Sequence, residues 1–247
     1  MKQSPLQAED VKLLECVAKF GVVQDRHVFL YCQNHNYSLD PVTYSKACKR
    51  LVRAEYLGTQ MIYADQDSYL MLGPRGSELM ATKAVKAIPL NTINHDMLVL
   101  DLYFDLLAKN PGSEIMSERE LRFSTGVKVG DKKKVPDLLM DNKIAIEVEL
   151  SEKSNARLIE IINNYIADVT LTAAHYFVKS KSLGHKLLQL SGGHKKVQVF
   201  LLTSIEAPLV YTPLFADGAT VPFTTTNTTA ASKWSFDLDE YLQARKK

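Results

Sequence analysis

VPDLLMDNKIAIEVELSEKS, Val135 to Ser154, holds two apolar runs joined by Asp141-Asn142-Lys143, the composition of a turn between two strands. The second run alternates strictly. Ile144, Ile146, Val148 and Leu150 fall on one side, and Ala145, Glu147 and Glu149 on the other, because successive strand side chains point to opposite faces. Acids two residues apart on one strand face have Cα atoms roughly 7 Å apart. Asp137 starts the neighbouring strand and can reach the same spot. Three carboxylates converging beside apolar runs repel one another and lose hydration. A hard divalent cation, Mg²⁺ or Mn²⁺, relieves both problems, since such ions take oxygen ligands from one or two carboxylates plus phosphate. Alternation alone equally fits an edge hairpin whose acids face water.

Composition narrows the setting. The 247 residues are 46% hydrophobic and 23% charged, which suits one large or two small globular domains. The formal net charge is +2, so a nucleic-acid site must be a local patch. Cys16, Cys32 and Cys48 are isolated. Scattered thiols of odd number argue against a disulfide scaffold or zinc site and for a reducing, cytoplasmic compartment. The start MKQSPLQAED lacks the apolar core of a signal peptide. No stretch approaches the roughly 20 apolar residues of a membrane span, so no membrane partner is expected.

The N-terminal third reads as helices followed by short strands. Ser4-Pro5 caps a helix running to Phe20, and Gly21 ends it. Val23 to Gln33 is a second short helix. Asp40 and Pro41 suit the N-cap and first position of a third, whose apolar face is Tyr44, Ala47, Cys48, Leu51 and Val52. Thr43, Lys46, Lys49, Arg50 and Arg53 fill much of the remainder. TQMIYA and SYLMLG then read as strands on either side of Asp65-Gln66-Asp67. This is the order of a winged helix-turn-helix, whose third helix enters the DNA major groove and whose hairpin wing touches the backbone. Lys46, Arg50 and Arg53 are the foremost DNA-contact candidates. A merely solvated helix face is the plain alternative.

Residues 81–90 read as a connector between an N-terminal domain, 1–80, and a second, 91–247. Asn94 to Lys109 is an amphipathic helix stopped by Asn110-Pro111-Gly112. Ile115 to Phe123 is strand-like and carries Glu118, Arg119, Glu120 and Arg122. The loop Lys128 to Lys134, with Lys132, Lys133 and Lys134, is either solvated or able to hold a phosphate backbone. After the hairpin, Asn155 to Val169 is a helix with Leu158, Ile161, Ile162, Tyr165 and Ile166 inward. His175–Val178, Leu183–Leu190 and Val197–Thr203 follow as strand, helix and strand. The order is that of a mixed α/β protein. Ala219 to Ser232 reads as a threonine-rich exposed loop or hairpin, and Asp237 to Lys247 as a closing helix.

Pro136-Asp137 followed by Glu147-Val148-Glu149 resembles the PD-(D/E)XK nuclease signature, with Glu149 in the lysine position. NHDMLVLDLYFDLL, SERELR, VPDLLM and IAIEVELSEKSNARLIEIINNY, behind a winged helix, together look like the replication-relaxation family, which includes MobC-type plasmid relaxases. The resemblance implies an α/β (α+β) chain: a winged helix followed by a PD-(D/E)XK, restriction-endonuclease-like mixed sheet flanked by helices. It implies binding of double-stranded DNA at a plasmid origin of transfer and Mg²⁺- or Mn²⁺-dependent nicking of one strand, alongside other mobilisation or coupling proteins. By motif, Asp137, Glu147 and Glu149 are the metal and catalytic acids, with Glu118 or Glu120 as a further ligand. Lys153 replaces the missing lysine at the scissile phosphate, and Arg157 does likewise. That missing lysine keeps two rivals in play: a non-enzymatic DNA-binding regulator with an inactive nuclease-like domain, and an ordinary restriction- or transposon-type endonuclease. Rejoining a cut strand usually means a phosphotyrosine link, and Tyr165 falls in the matched segment. Its spacing reads as core packing, so the nucleophile is either a metal-bound water, the simpler choice, or a tyrosine. His95 reads as a helix-start hydrogen-bonding residue, although the resemblance allows it to approach the active site. No phosphate-binding glycine loop is present, and no serine or cysteine nucleophile motif.

Overall fold

The computed structural model describes residues 5–62, 68–82, 85, 87–88, 90–128, 134–204 and 209–215. Four expectations lie outside them: the turn Asp65–Asp67, the loop cations Lys132 and Lys133, the threonine-rich stretch and the closing helix. The chain divides into two compact units between Ile88 and Pro89.

The first unit runs α1 (Ala8–Phe20), β1 (Val22–Gln24), α2 (Asp25–Asn34), α3 (Pro41–Arg53), β2 (Leu57–Gln60), β3 (Tyr69–Leu72) and α4 (Pro74–Leu79). The strands form an antiparallel sheet in the order β1-β3-β2. α1 starts later than Ser4-Pro5 suggests, with Gln7 as N-cap and its N–H donated to Asp10 Oδ2 at 2.9 Å. Gly21, at φ 87°, stops the helix in a conformation only glycine takes readily. The two valines that follow pair as a strand with Met71 and Leu70, the second of them where a helix is expected to begin; their β-branched side chains suit a pleated surface. α3 begins as read. Asp40 Oδ1 accepts from the N–H groups of Val42 and Thr43 at 2.9 and 3.0 Å. α4 needs Gly76, since a Cβ there would lie 2.0 Å from the Tyr56 carbonyl oxygen.

The second unit runs α5 (Ile93–Lys109), β4 (Ile115–Ser117), α6 (Glu118–Thr125), β5 (Leu138–Met140), β6 (Ile144–Glu149), α7 (Asn155–Ala167), β7 (Ala173–Val178), α8 (Lys181–Leu190), β8 (Val197–Ser204) and β9 (Val210–Leu214). One mixed sheet has the order β4-β5-β6-β7-β8-β9. β6, β7 and β8 are parallel and the remaining pairs antiparallel. The chain is therefore mixed α/β.

The hairpin forms as read. Asp141 and Asn142 sit at φ 53° and 55°, the left-handed geometry these two residues tolerate best after glycine. It is not an edge hairpin, because β6 lies between β5 and β7. Every residue from Ala145 to Glu149 is buried, so the side that alternation offered to water is covered by α7. Ala145, Leu158, Ile162, Tyr165, Tyr176 and Val178 share that core. α7 thus buries the face its spacing predicts, with Ile166 partly covered.

Two further differences have local causes. The expected strand Ile115–Phe123 ends at Ser117, because Ser117 N-caps α6. Glu120 N–H donates to Ser117 Oγ, and Ser117 N–H to Glu120 Oε2, at 3.3 and 2.8 Å. That is the capping box written in Ser-Glu-Arg-Glu. β9 is hidden in the sequence by Pro213, which cannot donate to a ladder and belongs on an outer strand.

Candidate active site: a buried acidic cluster on two strands

β6 carries Glu147 and Glu149 toward α7, and both are buried, at 1% and 2% exposure. Asp137 immediately precedes β5. The register Leu138↔Ile146 places it across from Glu147, on the same face. Asp137 Oδ2 accepts the Val148 N–H at 2.8 Å and lies 3.3 Å from His95 Nε2. The three acids named from the motif are therefore gathered on adjacent strands, with both glutamates buried and Asp137 partly so.

Each acid is met by a donor. Glu147 Oε1 accepts from the Tyr165 hydroxyl on α7, and its Oε2 lies 3.1 Å from Lys134 Nζ. Glu149 Oε1 pairs with Lys153 Nζ. His95, in the first turn of α5, has three acceptors around its two ring nitrogens. Nε2 is 3.0 Å from the Val148 carbonyl and 3.3 Å from Asp137, and Nδ1 is 3.2 Å from Asp96 Oδ1. Only the doubly protonated imidazolium donates from both nitrogens.

The proton affinities follow. Burial pulls His95 down, but its bonds to Asp137 and Asp96 outweigh it and push the imidazole up to about 10. Burial raises Asp137, yet His95 and the Val148 N–H hold it below the ordinary carboxylate value. Glu147 goes the other way. Burial, then the neighbouring charge of Asp137, pushes it up to about 8 against the pull of Lys134 and Tyr165. Two carboxylates in one dry site thus diverge, as like charges close together must. Burial disfavours the Lys134 ammonium, but Glu147 and Asp137 more than restore it.

The remaining expected site residues lie elsewhere. Glu118 is on α6, not a strand, and holds Arg122 at 2.6 Å; Glu120 is spent in the capping box. Neither joins the acids. Arg157 is exposed and paired with Glu160 at 2.8 Å. Lys134, expected in a phosphate-holding loop, instead has its ammonium at Glu147. His95 is a member of the cluster that helix periodicity could only place at a helix start.

A divalent cation is compatible with this chemistry. Among the described residues no three His, Cys, Asp or Glu side chains form a ready-made ion cage. Asp137 and Glu147 nevertheless supply the hard oxygens that Mg²⁺ or Mn²⁺ takes when phosphate completes the shell. The Tyr176 hydroxyl is buried with no hydrogen-bond partner among the described residues. Tyr176 pairs with Glu147 across β6 and β7, so a further oxygen ligand or water has a donor waiting there.

In the first unit, Lys46, Lys49 and Arg53 lie exposed on α3, with Thr43 half-buried. Val42 and Val52 share that open side, at 57% and 36% exposure; Val52 thus leaves the apolar face expected of it. Arg50 turns away from it. Its guanidinium grips Asp10 through Nη2–Oδ1 at 2.7 Å and Nε–Oδ2 at 3.2 Å, and reaches Glu9 Oε1 at 3.4 Å. Asp10 is wholly buried, so Arg50 braces α3 against α1, with about a third of its side chain, 34%, still open to solvent.

No protein-family model matches the chain, and no curated protein and no solved structure matches it.

Proposed function

We propose that this protein is a metal-dependent DNA-nicking relaxase of the replication-relaxation kind, acting at a plasmid origin of transfer. The observation carrying the reading is the gathering of Asp137, Glu147 and Glu149 on adjacent strands beside two lysines, with both glutamates buried and Asp137 partly so. Burying acids costs stability unless they are paired, and perturbed acids gathered in one place are a recurrent mark of functional sites. The mixed sheet flanked by helices, with the acids on an inner strand, supports the PD-(D/E)XK reading of the second unit. Three helices and a small antiparallel sheet support a winged helix in the first.

In this reading α3 presents Thr43, Lys46, Lys49 and Arg53 to the major groove, and β2 and β3 run along the backbone. Asp137 and Glu147 hold Mg²⁺ or Mn²⁺. When bound, such an ion lowers the pKa of a water and offsets charge on the scissile phosphate. His95 fixes Asp137 through its carboxylate while tying α5 to β6. Lys134 and Lys153 add positive charge where the phosphate gains negative charge. Glu149 stands where the signature has lysine, and Lys153 at its carboxylate supplies a cation nearby. The nucleophile is water, because Tyr165 is buried with its hydroxyl committed to Glu147.

A non-enzymatic DNA-binding regulator remains the second reading. The observation favouring it is that all three acids already have a proton donor or cation from the chain itself. Supercoiled plasmid bearing the candidate origin, incubated with protein and Mg²⁺, separates the two. The nicking reading expects open circles that EDTA abolishes. Asp137→Ala and Glu147→Ala should lose nicking yet shift origin DNA in a gel as before. Undiminished nicking in EDTA, or by Glu147→Ala, would sink the metal site; tight binding without nicking would support the regulator.

A further inference from the structure

Lys134 is a half-buried cation that neither hairpin nor signature accounts for. It sits three residues ahead of Asp137, and only 20% of its side chain is exposed. Its ammonium meets Glu147 Oε2 at 3.1 Å, while Tyr165 takes the other Glu147 oxygen. Both oxygens of the most buried acid in the cluster therefore have a donor from the chain. Each oxygen keeps a second lone pair, so the hydrogen bonds alone do not bar a metal ion, but a divalent cation at Glu147 Oε2 would face the Lys134 ammonium at the same oxygen and be repelled by it. Tyr165 is packed in the core of α7, whereas Lys134 precedes β5 on a flexible four-carbon stem. Lys153 does not compete for this role, since it pairs with Glu149 from the exposed side, with 38% of its side chain open.

We propose that Lys134 is the exchangeable counterion of the acidic site: its ammonium occupies the place of the divalent cation at Glu147 and is displaced when the ion binds. The inference rests on the nuclease reading for the identity of the ion, but it is a statement about ion binding and is tested without DNA. Lysine and metal are rivals for one carboxylate, so each weakens the other reciprocally. The freed ammonium stays within the site as a positive group for the phosphate. Lys134 is thus a positioning residue, acting through Glu147.

The test is titration of the full chain with Mn²⁺, following the free-ion signal by electron paramagnetic resonance. Lys134→Gln removes the charge but keeps a donor for Glu147, and Lys134→Met keeps the apolar stem. Both should bind Mn²⁺ about tenfold more tightly than wild type, a typical coupling between two ligands of one site. Lys134→Arg should not. The gain should vanish when Glu147→Gln is added. Equal or weaker Mn²⁺ affinity in both neutral variants overturns the proposal. So does failure of both variants to fold, which would make the pair purely structural, or absence of millimolar Mn²⁺ binding by wild type and variants alike. If the neutral variants bind Mn²⁺ more tightly but no protein nicks DNA, the exchange stands and the nuclease reading falls. If wild type nicks DNA while Lys134→Gln leaves Mn²⁺ affinity unchanged, the reverse holds.

Discussion

Tyr165 shows what one hydroxyl adds to a packed face. Its ring lies in the core beneath α7, as the spacing with Leu158, Ile161 and Ile162 requires. Its hydroxyl donates to Glu147, so burial and the adjacent acid push the phenol far above its ordinary proton affinity. A phenol in that state is a poor nucleophile and a good brace. Tyr165→Phe should lower the stability of the second unit by about 1–3 kcal/mol, because a buried acceptor loses its donor; urea unfolding measures this. The same reasoning predicts no covalent protein–DNA adduct. End-labelled origin DNA incubated with protein and Mg²⁺ should leave no labelled band at the protein's position after denaturing electrophoresis. A detergent-stable band lost in Tyr165→Phe would make the tyrosine the nucleophile.

At the scale of a helix, α3 divides its cations by face. Tyr44, Ala47 and Leu51 are buried, Arg50 sits at the border, and Lys46, Lys49 and Arg53 point outward. Arg50→Ala should destabilise the first unit by about 2–3 kcal/mol. It strands the buried Asp10, although Arg50 itself reaches solvent, which keeps the loss below that of a fully buried pair. Lys46→Ala, Lys49→Ala and Arg53→Ala should leave stability within about 0.5 kcal/mol of wild type. They should weaken origin binding, by about 1–3 kcal/mol with relaxed sequence preference for a base contact, or uniformly with a smaller salt slope for a phosphate contact. Gel-shift titration at two salt concentrations, beside urea melts, sorts the four variants. Unchanged affinity in all three outward variants would move the DNA face off α3.

For the whole molecule, two groups, one buried and one half-buried, pull stability in opposite directions with pH. His175, on β7 against the Phe200 ring, is pushed down to about 4 by burial alone. Its folded value lies below its unfolded one, near 6.5, so the unfolded chain binds more protons between these values. Stability is full above about 6.5 and falls as pH drops toward 4. Glu147, pushed up to about 8, binds its proton more tightly in the folded state, so its stabilising effect is present at low pH and is lost as pH rises through that value. His175→Phe should therefore lose less stability than wild type between pH 7 and pH 5 in urea melts. An identical loss in both proteins would show that His175 is not held neutral by the fold.

Much of this architecture is legible within windows of a few residues. Asp40-Pro41 marks the start of α3, the spacing of Leu158 to Tyr165 marks the inward face of α7, and Asp141-Asn142 marks the hairpin turn, because caps, helical period and turn conformation act between near neighbours in the chain. Alternation in β6 likewise tells which residues share a side. What covers that side is not a local property. β6 becomes an inner strand only when β7 pairs with it after α7 has crossed, and that crossing turns Glu147 and Glu149 from surface acids into buried ones. His95 comes to Val148 from 53 residues away, and Arg50 to Asp10 from 40. Lys134 and Lys153 look alike as loop lysines, and the packing of the sheet decides which of them meets Glu147. Periodicity reports direction relative to the backbone, whereas burial, counterions and proton affinity depend on what long-range packing brings opposite.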